Sequence, residues 1–185
     1  RGEVPPQPPA LRVLLAGGGT GGHIYPALAV ADEITRRNRE SRVLFVGTRT
    51  GLESKLVPEA GYPMTTVEVS GFAGRGPLAR IRSLFQLVSA TLKMRSVIRE
   101  FAPELVLGTG GYVSGPAVLA ARWACIPTII QEQNSIPGQM NRLLARFVTE
   151  IHVAFTESRL HFRQTEKIRL SGNPTRIKQL RAAVD

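Results

Sequence analysis

The chain has 185 residues, of which 43% are apolar and 21% charged, so it can bury a core and is not disordered as a whole. Lys and Arg number 24 against 14 Asp and Glu, and the net charge of +10 predicts an anionic partner. A single cysteine excludes an internal disulfide framework, and no apolar run reaches the ~18 residues that a membrane-spanning helix requires.

Along the chain, a proline-rich start gives way to short apolar strands that alternate with helical segments. Residues 1–10 contain four prolines and are expected to form a disordered tail. Strands are predicted at 11–16, 42–47, 64–70, 104–108, 126–130, 150–155 and 167–174. Helices are predicted at 78–101, 114–123 and 138–147, and from the spacing of Ala27, Val30, Ala31 and Ile34. This alternation is typical of an α/β fold, a doubly wound, Rossmann-like parallel sheet that binds ligands beyond the carboxyl ends of its strands.

A glycine-rich loop follows the first strand, with five glycines from Gly17 to Gly22 before His23. Glycines let the backbone approach a ligand closely, and the next helix presents unpaired N–H groups, so the loop predicts a diphosphate site. Gly17, Gly19 and Gly22 also fit a dinucleotide-binding pattern, but the second strand ends without the acid that would bind a ribose. His23 stands where a P-loop requires lysine. A tight strand–helix turn without a ligand is the alternative.

Two further loops follow later strands. Residues 108–116, GTGGYVSGP, form a second glycine-rich loop, for which a packing turn is the alternative. Residues 131–138, QEQNSIPG, form a polar third loop, with Asn141 on the next helix. Its amides and carboxylate suit sugar hydroxyl and acetamido groups, although a solvated loop that caps the helix is the alternative. Because the two glycine-rich loops follow strands of one parallel sheet, we expect these two to face one cleft that binds a diphosphate ligand.

In this order the three loops closely resemble those of the MurG family. The matching segments are GGGTGGHIYPALAVA at 17–31, GTGGYVSGP at 108–116, QEQNSIPGQMNR at 131–142 and SGNPTR at 171–176. The resemblance implies a two-domain GT-B glycosyltransferase that moves N-acetylglucosamine, with inversion, from UDP-GlcNAc to lipid I (undecaprenyl-diphosphate-MurNAc-pentapeptide) in peptidoglycan synthesis. It implies that 11–172 form the amino-terminal, acceptor-binding domain, and that 173–185 are the linker and the start of a donor domain. The isolated chain is therefore expected to be inactive.

The resemblance also implies roles for individual residues. The acceptor would be bound by Gly18, Gly19, Gly110, Gly111, Tyr112, Ser114, Glu132, Gln133 and Asn141. The donor would bind mainly to the second domain and would be approached from this chain by Thr20, Gly21, Gly22, Asn134 and Arg176. Gln131 stands where many relatives have histidine, so no acid–base role is expected for it. No cofactor or metal is implied.

His23 is the predicted catalytic residue. It lies at a helix start beside the first glycine loop, and an imidazole can accept a proton near neutral pH. Glu132 is the competing candidate for the base, and a histidine that only hydrogen-bonds the backbone is the structural alternative. His152 and His161 lie outside the loops and are expected to be structural or exposed. Cys125 is expected to be a small buried residue.

A basic segment from Phe72 to Arg99 contains six Lys or Arg and no acid. Apolar side chains at helical spacing among cations predict a membrane patch comprising Leu78, Arg80, Ile81, Arg82, Leu84 and Phe85. The alternative is a helix that packs its apolar face inward. The lipid-linked acceptor favours peripheral binding to the anionic cytoplasmic face of the bacterial plasma membrane. Nucleic acid is not expected, because aromatic residues make up only 6% and no nucleic-acid motif appears.

Two other functions remain open from the sequence. The first is a non-catalytic membrane subunit that recruits a separate chain carrying the donor domain. The second is a nicotinamide-dependent oxidoreductase, since the first glycine loop formally fits a dinucleotide pattern. The missing ribose-binding acid and the position of His23 after the glycines disfavour this second function.

Overall fold

The computed structural model describes residues 8–70 and 77–176, with only the backbone for residues 77–80. The described chain forms one sheet of seven strands flanked by helices. The strands are β1 (Arg12–Gly17), β2 (Arg42–Gly47), β3 (Met64–Thr66), β4 (Leu105–Gly110), β5 (Thr128–Glu132), β6 (Glu150–Val153) and β7 (Ile168–Leu170). The helices are α1 (Gly21–Arg37), α2 (Glu53–Glu59), α3 (Pro77–Phe101), α4 (Ser114–Trp123) and α5 (Gln139–Leu144), with 3₁₀ helices at Thr156–His161 and Thr165–Lys167.

The strand order places the switch of winding direction between β1 and β4. The order is β3-β2-β1-β4-β5-β6-β7, and every neighbouring pair is parallel. The chain winds outward from β1 to β3 and then returns to the other side of β1 with β4. Such a reversal leaves a crevice beyond the carboxyl ends of the two strands, which is where the first two glycine loops lie. The predicted α/β, doubly wound, Rossmann-like sheet is confirmed.

The core lies on both faces of the sheet, because successive side chains of a strand point to opposite sides. On β1, Leu14 and Ala16 pack with α3 and α4 on one face. Val13 and Leu15 pack with α1 and α2 on the other face. All four side chains are fully buried. A strand covered on both faces requires a continuous apolar run, which explains the sequence of β1. A third cluster joins α5 to β5, β6 and β7.

Most predicted elements are present, although several boundaries differ. β2 and α4 coincide with the predicted 42–47 and 114–123. β3 and β7 are shorter than predicted because each lies at an edge of the sheet, where only one neighbouring strand fixes the chain. α2 escapes prediction because it has 7 residues, including Pro58, and is too short to show an apolar period. None of the helices in the described ranges is long and apolar enough to cross a bilayer.

Three expectations concern the surface and the ends of the chain. The prediction that Cys125 is buried is wrong: the residue is exposed, with a φ of 56°, because the chain reverses there between α4 and β5. Of the predicted tail, residues 1–7 lie outside the described part, and residues 8–10 are exposed without regular structure. Of the predicted linker, residues 177–185 lie outside the described part.

Ser114 joins the ends of the two central strands to the start of α4. Its side chain is fully buried. The hydroxyl oxygen accepts a hydrogen bond from the Gly110 N–H at 3.1 Å and lies 2.8 Å from the Ala16 carbonyl and 2.9 Å from the Gly110 carbonyl. The single hydroxyl proton can go to either carbonyl. Ser114, predicted as an acceptor-binding residue, therefore supports the crevice from beneath.

We expect Ser114→Ala to lower the free energy of unfolding by about 1–3 kcal/mol, because it leaves buried polar groups without a partner. Urea unfolding measures the loss. The matched control is Ser89→Ala on α3, where the serine is exposed and the same change should stay within about 0.5 kcal/mol of the wild type. Equal stabilities of the two variants would show that the Ser114 hydroxyl does not hold the strands together.

Candidate functional site

The first two glycine loops touch at the switch point of the sheet. Gly17 at the end of β1 is paired with Gly110 at the end of β4. Next to this pair, Gly111 has a φ of +76°, and a Cβ placed on it would collide with the Gly18 carbonyl oxygen. Only glycine fits this position, both for its left-handed backbone and for the close approach. The two loops therefore form one continuous surface.

His23 lies on this surface, in the first turn of α1. Its Nδ1 is 3.0 Å from the Gly18 carbonyl oxygen and 3.1 Å from Thr20 Oγ1. A carbonyl oxygen only accepts, so this contact assigns the proton to Nδ1 and leaves the lone pair on Nε2. The Nε2 edge faces Gly110, where an added Cβ would lie 2.8 Å away. The Thr109 hydroxyl donates to the His23 carbonyl at 2.7 Å and ties α1 to β4.

The loop cavity, of about 620 Å³, opens in front of this histidine. Six of the predicted site residues line it, namely Gly18, Gly19, Thr20, His23, Gly111 and Tyr112. The other walls contribute Thr48, Arg49, Glu68 and Ser70, which the sequence does not single out, and Gln86 of α3. Arg49 and Glu68 are exposed, so the cavity carries a cation and a carboxylate at its rim. These residues lie after β2 and β3, and only the strand order shows that they reach the site.

The linker cavity, of about 600 Å³, lies on the other side of the start of α1. It is lined by Gly21, Gly22, Tyr25, Pro26 and the segment 173–176. The predicted donor-side residues Gly21, Gly22 and Arg176 are therefore together, whereas Thr20 lines the loop cavity. The first turn of α1 separates the two cavities and presents amide N–H groups that have no helical partner.

Arg176 is anchored to α1. Its Nε lies 2.7 Å from Asp32 Oδ2, and Asp32 Oδ1 accepts a hydrogen bond from the Tyr62 hydroxyl at 2.9 Å. Burial raises the pKa of the Tyr62 hydroxyl, so it stays protonated and can donate. The anchor places the guanidinium at the wall of the linker cavity with its charge partly balanced by Asp32.

Glu53, at the start of α2, is the site residue that the sequence prediction misses. Its side chain is fully buried beneath the first glycine loop. Oε2 accepts from the Gly19 N–H at 2.9 Å, and Oε1 accepts from the Thr48 N–H and hydroxyl, both at 2.8 Å. The available signal was a carboxylate shortly after the second strand, in a glycine-containing turn. Glu53 accepts hydrogen bonds from the glycine loop rather than from a ribose. It therefore occupies the Gly19 N–H, which lies in the loop that the sequence predicts as a diphosphate site.

The third loop is organised around Glu132, which is fully buried. One carboxylate oxygen accepts from the backbone and side-chain amides of Asn134, and the other accepts from the Gly138 N–H and the Asn141 amide, at 2.9–3.0 Å. Gln133 and Asn141 are also buried, and none of these residues lines the two cavities. With its oxygens used in this way, Glu132 stabilises the loop and is poorly placed to act as a base. Gln131 donates to the Gly172 carbonyl at 2.9 Å and ties β5 to the linker.

The outer face of α3 is apolar. Ile81, Leu84 and Phe85 are 55%, 55% and 72% exposed, and the exposed stripe continues with Val88 and Leu92. The opposite face of the helix, with Ala90, Met94 and Ile98, packs into the core. The alternative that the predicted patch packs inward is therefore wrong for these three residues. Arg82 is exposed beside them, whereas the side chains of Leu78 and Arg80 lie outside the described part.

The remaining histidines lie away from the cavities. His152 Nε2 is 3.0 Å from Glu150 Oε2 on β6, and His161 is exposed on a 3₁₀ helix. In the described ranges, no group of three or more His, Cys, Asp or Glu side chains could hold a metal ion. Ionisable side chains that line the two cavities include His23, Arg49, Glu68, Tyr112 and Arg176.

Comparison with known proteins connects this geometry to a family. Residues 13–153 match the glycosyltransferase family 28 N-terminal domain. The UDP-N-acetylglucosamine–N-acetylmuramyl-(pentapeptide) pyrophosphoryl-undecaprenol N-acetylglucosamine transferase of Geotalea uraniireducens is 49% identical over 166 residues, which are 90% of this chain and 45% of that protein. The chain spans about half the length of the curated relatives that it matches.

Solved structures agree with this match. The crystal structure of MurG from Acinetobacter baumannii has a TM-score of 0.74 and 29% identity, covering 91% of this chain and 46% of that one. UDP-GlcNAc 2-epimerase from Neisseria meningitidis, bound to UDP-GlcNAc, has a TM-score of 0.65 at 17% identity, covering 94% of this chain and 50% of that one, and shows the fold alone. The resemblance predicted from the three loops is thus confirmed, and the chain belongs to glycosyltransferase family 28, with MurG proteins among its relatives.

Proposed function

We propose that this chain is the acceptor-binding half of a two-domain, inverting glycosyltransferase that moves N-acetylglucosamine from UDP-GlcNAc to lipid I. The relatives that match 90% of the chain are named for this transfer, which supports the reaction and the substrates. The observation that carries the proposal is the position of His23. His23 lines the loop cavity at the start of α1, which separates that cavity from the linker cavity.

In this proposal the acceptor occupies the loop cavity. The contact between Gly111 and the Gly18 carbonyl brings the two glycine loops together around one ligand. The Gly19 N–H already donates to Glu53, so the acceptor's diphosphate depends on other donors around the cavity. Arg49 at the rim supplies the cation.

The donor approaches the linker cavity, and most of its binding comes from the second half of the enzyme. Gly21 and Gly22 lie in the first turn of α1, where N–H groups and the helix dipole stabilise an anion. Charge grows on UDP as it leaves, so this helix end stabilises the transition state more than the ground state. Residues 173–185 serve as the linker and the start of the donor domain, with Arg176 fixed to Asp32 at the described end.

The chemistry is one displacement. A hydroxyl oxygen of the acceptor sugar attacks the anomeric carbon of N-acetylglucosamine, and the bond from that carbon to the UDP oxygen breaks with its electron pair. The hydroxyl proton passes to the lone pair on His23 Nε2, whose direction is set by the Nδ1–H bond to Gly18. Attack from the face opposite the leaving group inverts the anomeric centre.

We further propose that α3 rests on the anionic cytoplasmic face of the bacterial plasma membrane, where the lipid-linked acceptor is found. The exposed stripe of Ile81, Leu84 and Phe85 can enter the interface, while cations such as Arg82 and Arg95 meet the headgroups. Leu78 and Arg80 belong to the same patch in the sequence. This peripheral contact would deliver the acceptor's diphosphate to the protein without a membrane-spanning segment.

His23→Ala in the complete two-domain enzyme is expected to lower kcat by about 10²–10⁴-fold, the usual contribution of a general base. Steady-state kinetics with a lipid I analogue and UDP-GlcNAc measure the loss. The matched control is His161→Ala, because that histidine is exposed on a 3₁₀ helix and lines neither cavity. Near-normal turnover of the His23 variant would refute the base assignment.

Gly111→Ala is expected to weaken binding of a soluble lipid I analogue to this chain by about tenfold or more, equal to about 1.4 kcal/mol. The added Cβ collides with the Gly18 carbonyl and pushes the loops apart. Gly61→Ala is the control, since Gly61 also has a positive φ, of +84°, but has nothing within 4 Å. Isothermal titration measures both, and NADH serves as a ligand that should not bind.

The chain alone should transfer no sugar; measurable turnover would overturn the division into two halves.

Exchanging Leu84 and Phe85 for glutamate is expected to abolish binding to vesicles that contain phosphatidylglycerol. Replacing Arg82 and Arg95 by glutamine should weaken it by roughly 30-fold, at about 1 kcal/mol per cation. Co-sedimentation measures both effects. The controls are Leu160→Glu, at a leucine 86% exposed outside α3, and the Arg142→Gln, Arg159→Gln pair. Equal binding to neutral and anionic vesicles would contradict the proposal.

A further inference from the structure

The peptide group between Gly18 and Gly19 is hydrogen-bonded at both of its ends. Its carbonyl oxygen, on Gly18, accepts from His23 Nδ1 at 3.0 Å. Its N–H, on Gly19, donates to Glu53 Oε2 at 2.9 Å. One peptide therefore connects the buried carboxylate of Glu53 to the imidazole of His23. Hydrogen bonds in such a chain polarise one another, so each strengthens the next.

The carboxylate of Glu53 is held as an anion in a buried place. Burial alone raises its pKa, but the hydrogen bonds from Gly19 and Thr48 outweigh burial and hold the pKa below its ordinary value. In the described ranges no lysine or arginine forms an ion pair with it. Its charge is thus balanced by hydrogen-bond donors alone, and the Gly18–Gly19 peptide is one of them.

Packing fixes where this anion lies. A Cβ added to Gly18, Gly47 or Gly51 would collide with the Glu53 side chain. The three glycines therefore enclose the side chain from three segments, at the end of β1, at the end of β2 and in the turn before α2. With Thr48 bonded to the other oxygen, the carboxylate has little freedom to turn away from the Gly19 N–H.

We propose that Glu53 is a positioning residue for His23 that acts through the Gly18–Gly19 peptide. The carboxylate draws the peptide N–H toward itself and makes the Gly18 oxygen a stronger acceptor. That oxygen then keeps the proton on His23 Nδ1 and the lone pair on Nε2. A carboxylate bonded directly to a histidine fixes the tautomer of the ring. Here Glu53 has the same effect, with a peptide group between the carboxylate and the imidazole. The inference rests on the proposed role of His23 as the base.

The same connection stabilises the histidine during the reaction. When Nε2 takes the proton of the acceptor hydroxyl, the ring becomes a cation and its Nδ1–H bond to Gly18 strengthens. The peptide passes this polarisation to the Glu53 anion, and no proton has to leave Nδ1 or reach the carboxylate. Among the residues that the structure describes, the other ionisable groups lining the loop cavity are Arg49, Glu68 and Tyr112.

The tautomer of His23 tests the proposal directly. In the chain labelled with ¹⁵N-histidine, at alkaline pH, the ring-nitrogen shifts should identify the Nδ1–H form as the predominant one. In Glu53→Gln, the Nδ1–H form should lose this predominance, because the amide side chain lacks the charge. A predominant Nε2–H form in the wild type would overturn the proposal without any variant, so the test does not depend on how well Glu53→Gln folds.

Kinetics of the complete two-domain enzyme separate this inference from the proposed function. Glu53→Gln should lower kcat by about 10- to 100-fold with little change in KM. It should also move the acidic limb of the pH profile to lower pH, since the ring holds its proton less strongly. The control is Glu59→Gln, at the exposed end of the same helix. It should keep the wild-type rate, the acidic limb of the pH profile and the tautomer of His23.

The outcomes can be told apart. Circular dichroism checks that Glu53→Gln is folded. If this variant keeps the wild-type rate and the wild-type acidic limb of the pH profile while His23→Ala removes activity, the role of Glu53 is wrong and the proposed function stands. If His23→Ala is active, the base assignment fails, even where the tautomer responds to Glu53.

Discussion

The contact between the Gly18 carbonyl and Gly111 is the constraint on which the site depends. Two parallel neighbours, β1 and β4, bring their carboxyl ends together, and glycine at position 111 lets the loops close on each other. Ser114 and Thr109 then bond across the same junction, to β1 and to α1. The start of α1, which carries His23, is thus tied to the sheet as well as to its own loop. His23, which we propose as the base, is thereby attached to packed strands through its backbone carbonyl.

Positive charge lies on the surface of the protein, and the glycine loops at its centre carry none. The large positive excess reflects solvent-facing arginines and lysines, including those on α3. At the centre the glycine loops are neutral, and Glu53, which is buried beneath the first of them, is negative. In the proposed function an anionic ligand is recognised by dipoles and by rim cations, while the buried carboxylate orders the loop. Net charge identifies the surface that meets anions and says little about the chemistry at the centre.

Much of the fold is readable from the sequence, because buried parallel strands are short apolar runs and their loops carry glycine. The two glycine loops and His23 follow strands directly, so the α/β pattern places them at one edge of the sheet. Glu53 is different: it begins a short helix with no apolar period, and only its burial reveals what it does. Arg49 and Glu68 reach the loop cavity through the strand order, which local patterns do not encode. Glu132 is predicted from the sequence as an acceptor-binding residue, and only the structure shows that it also supports its loop from within.

The enclosure of Glu53 by glycines has a consequence for how this protein can change. Any side chain larger than hydrogen at Gly18, Gly47 or Gly51 needs the space that the Glu53 side chain fills. A smaller residue at position 53 would free that space but would leave the Gly19 and Thr48 donors unpaired. The four positions are therefore expected to be substituted together or not at all, so that their evolutionary histories are coupled although they come from three separate stretches of the chain.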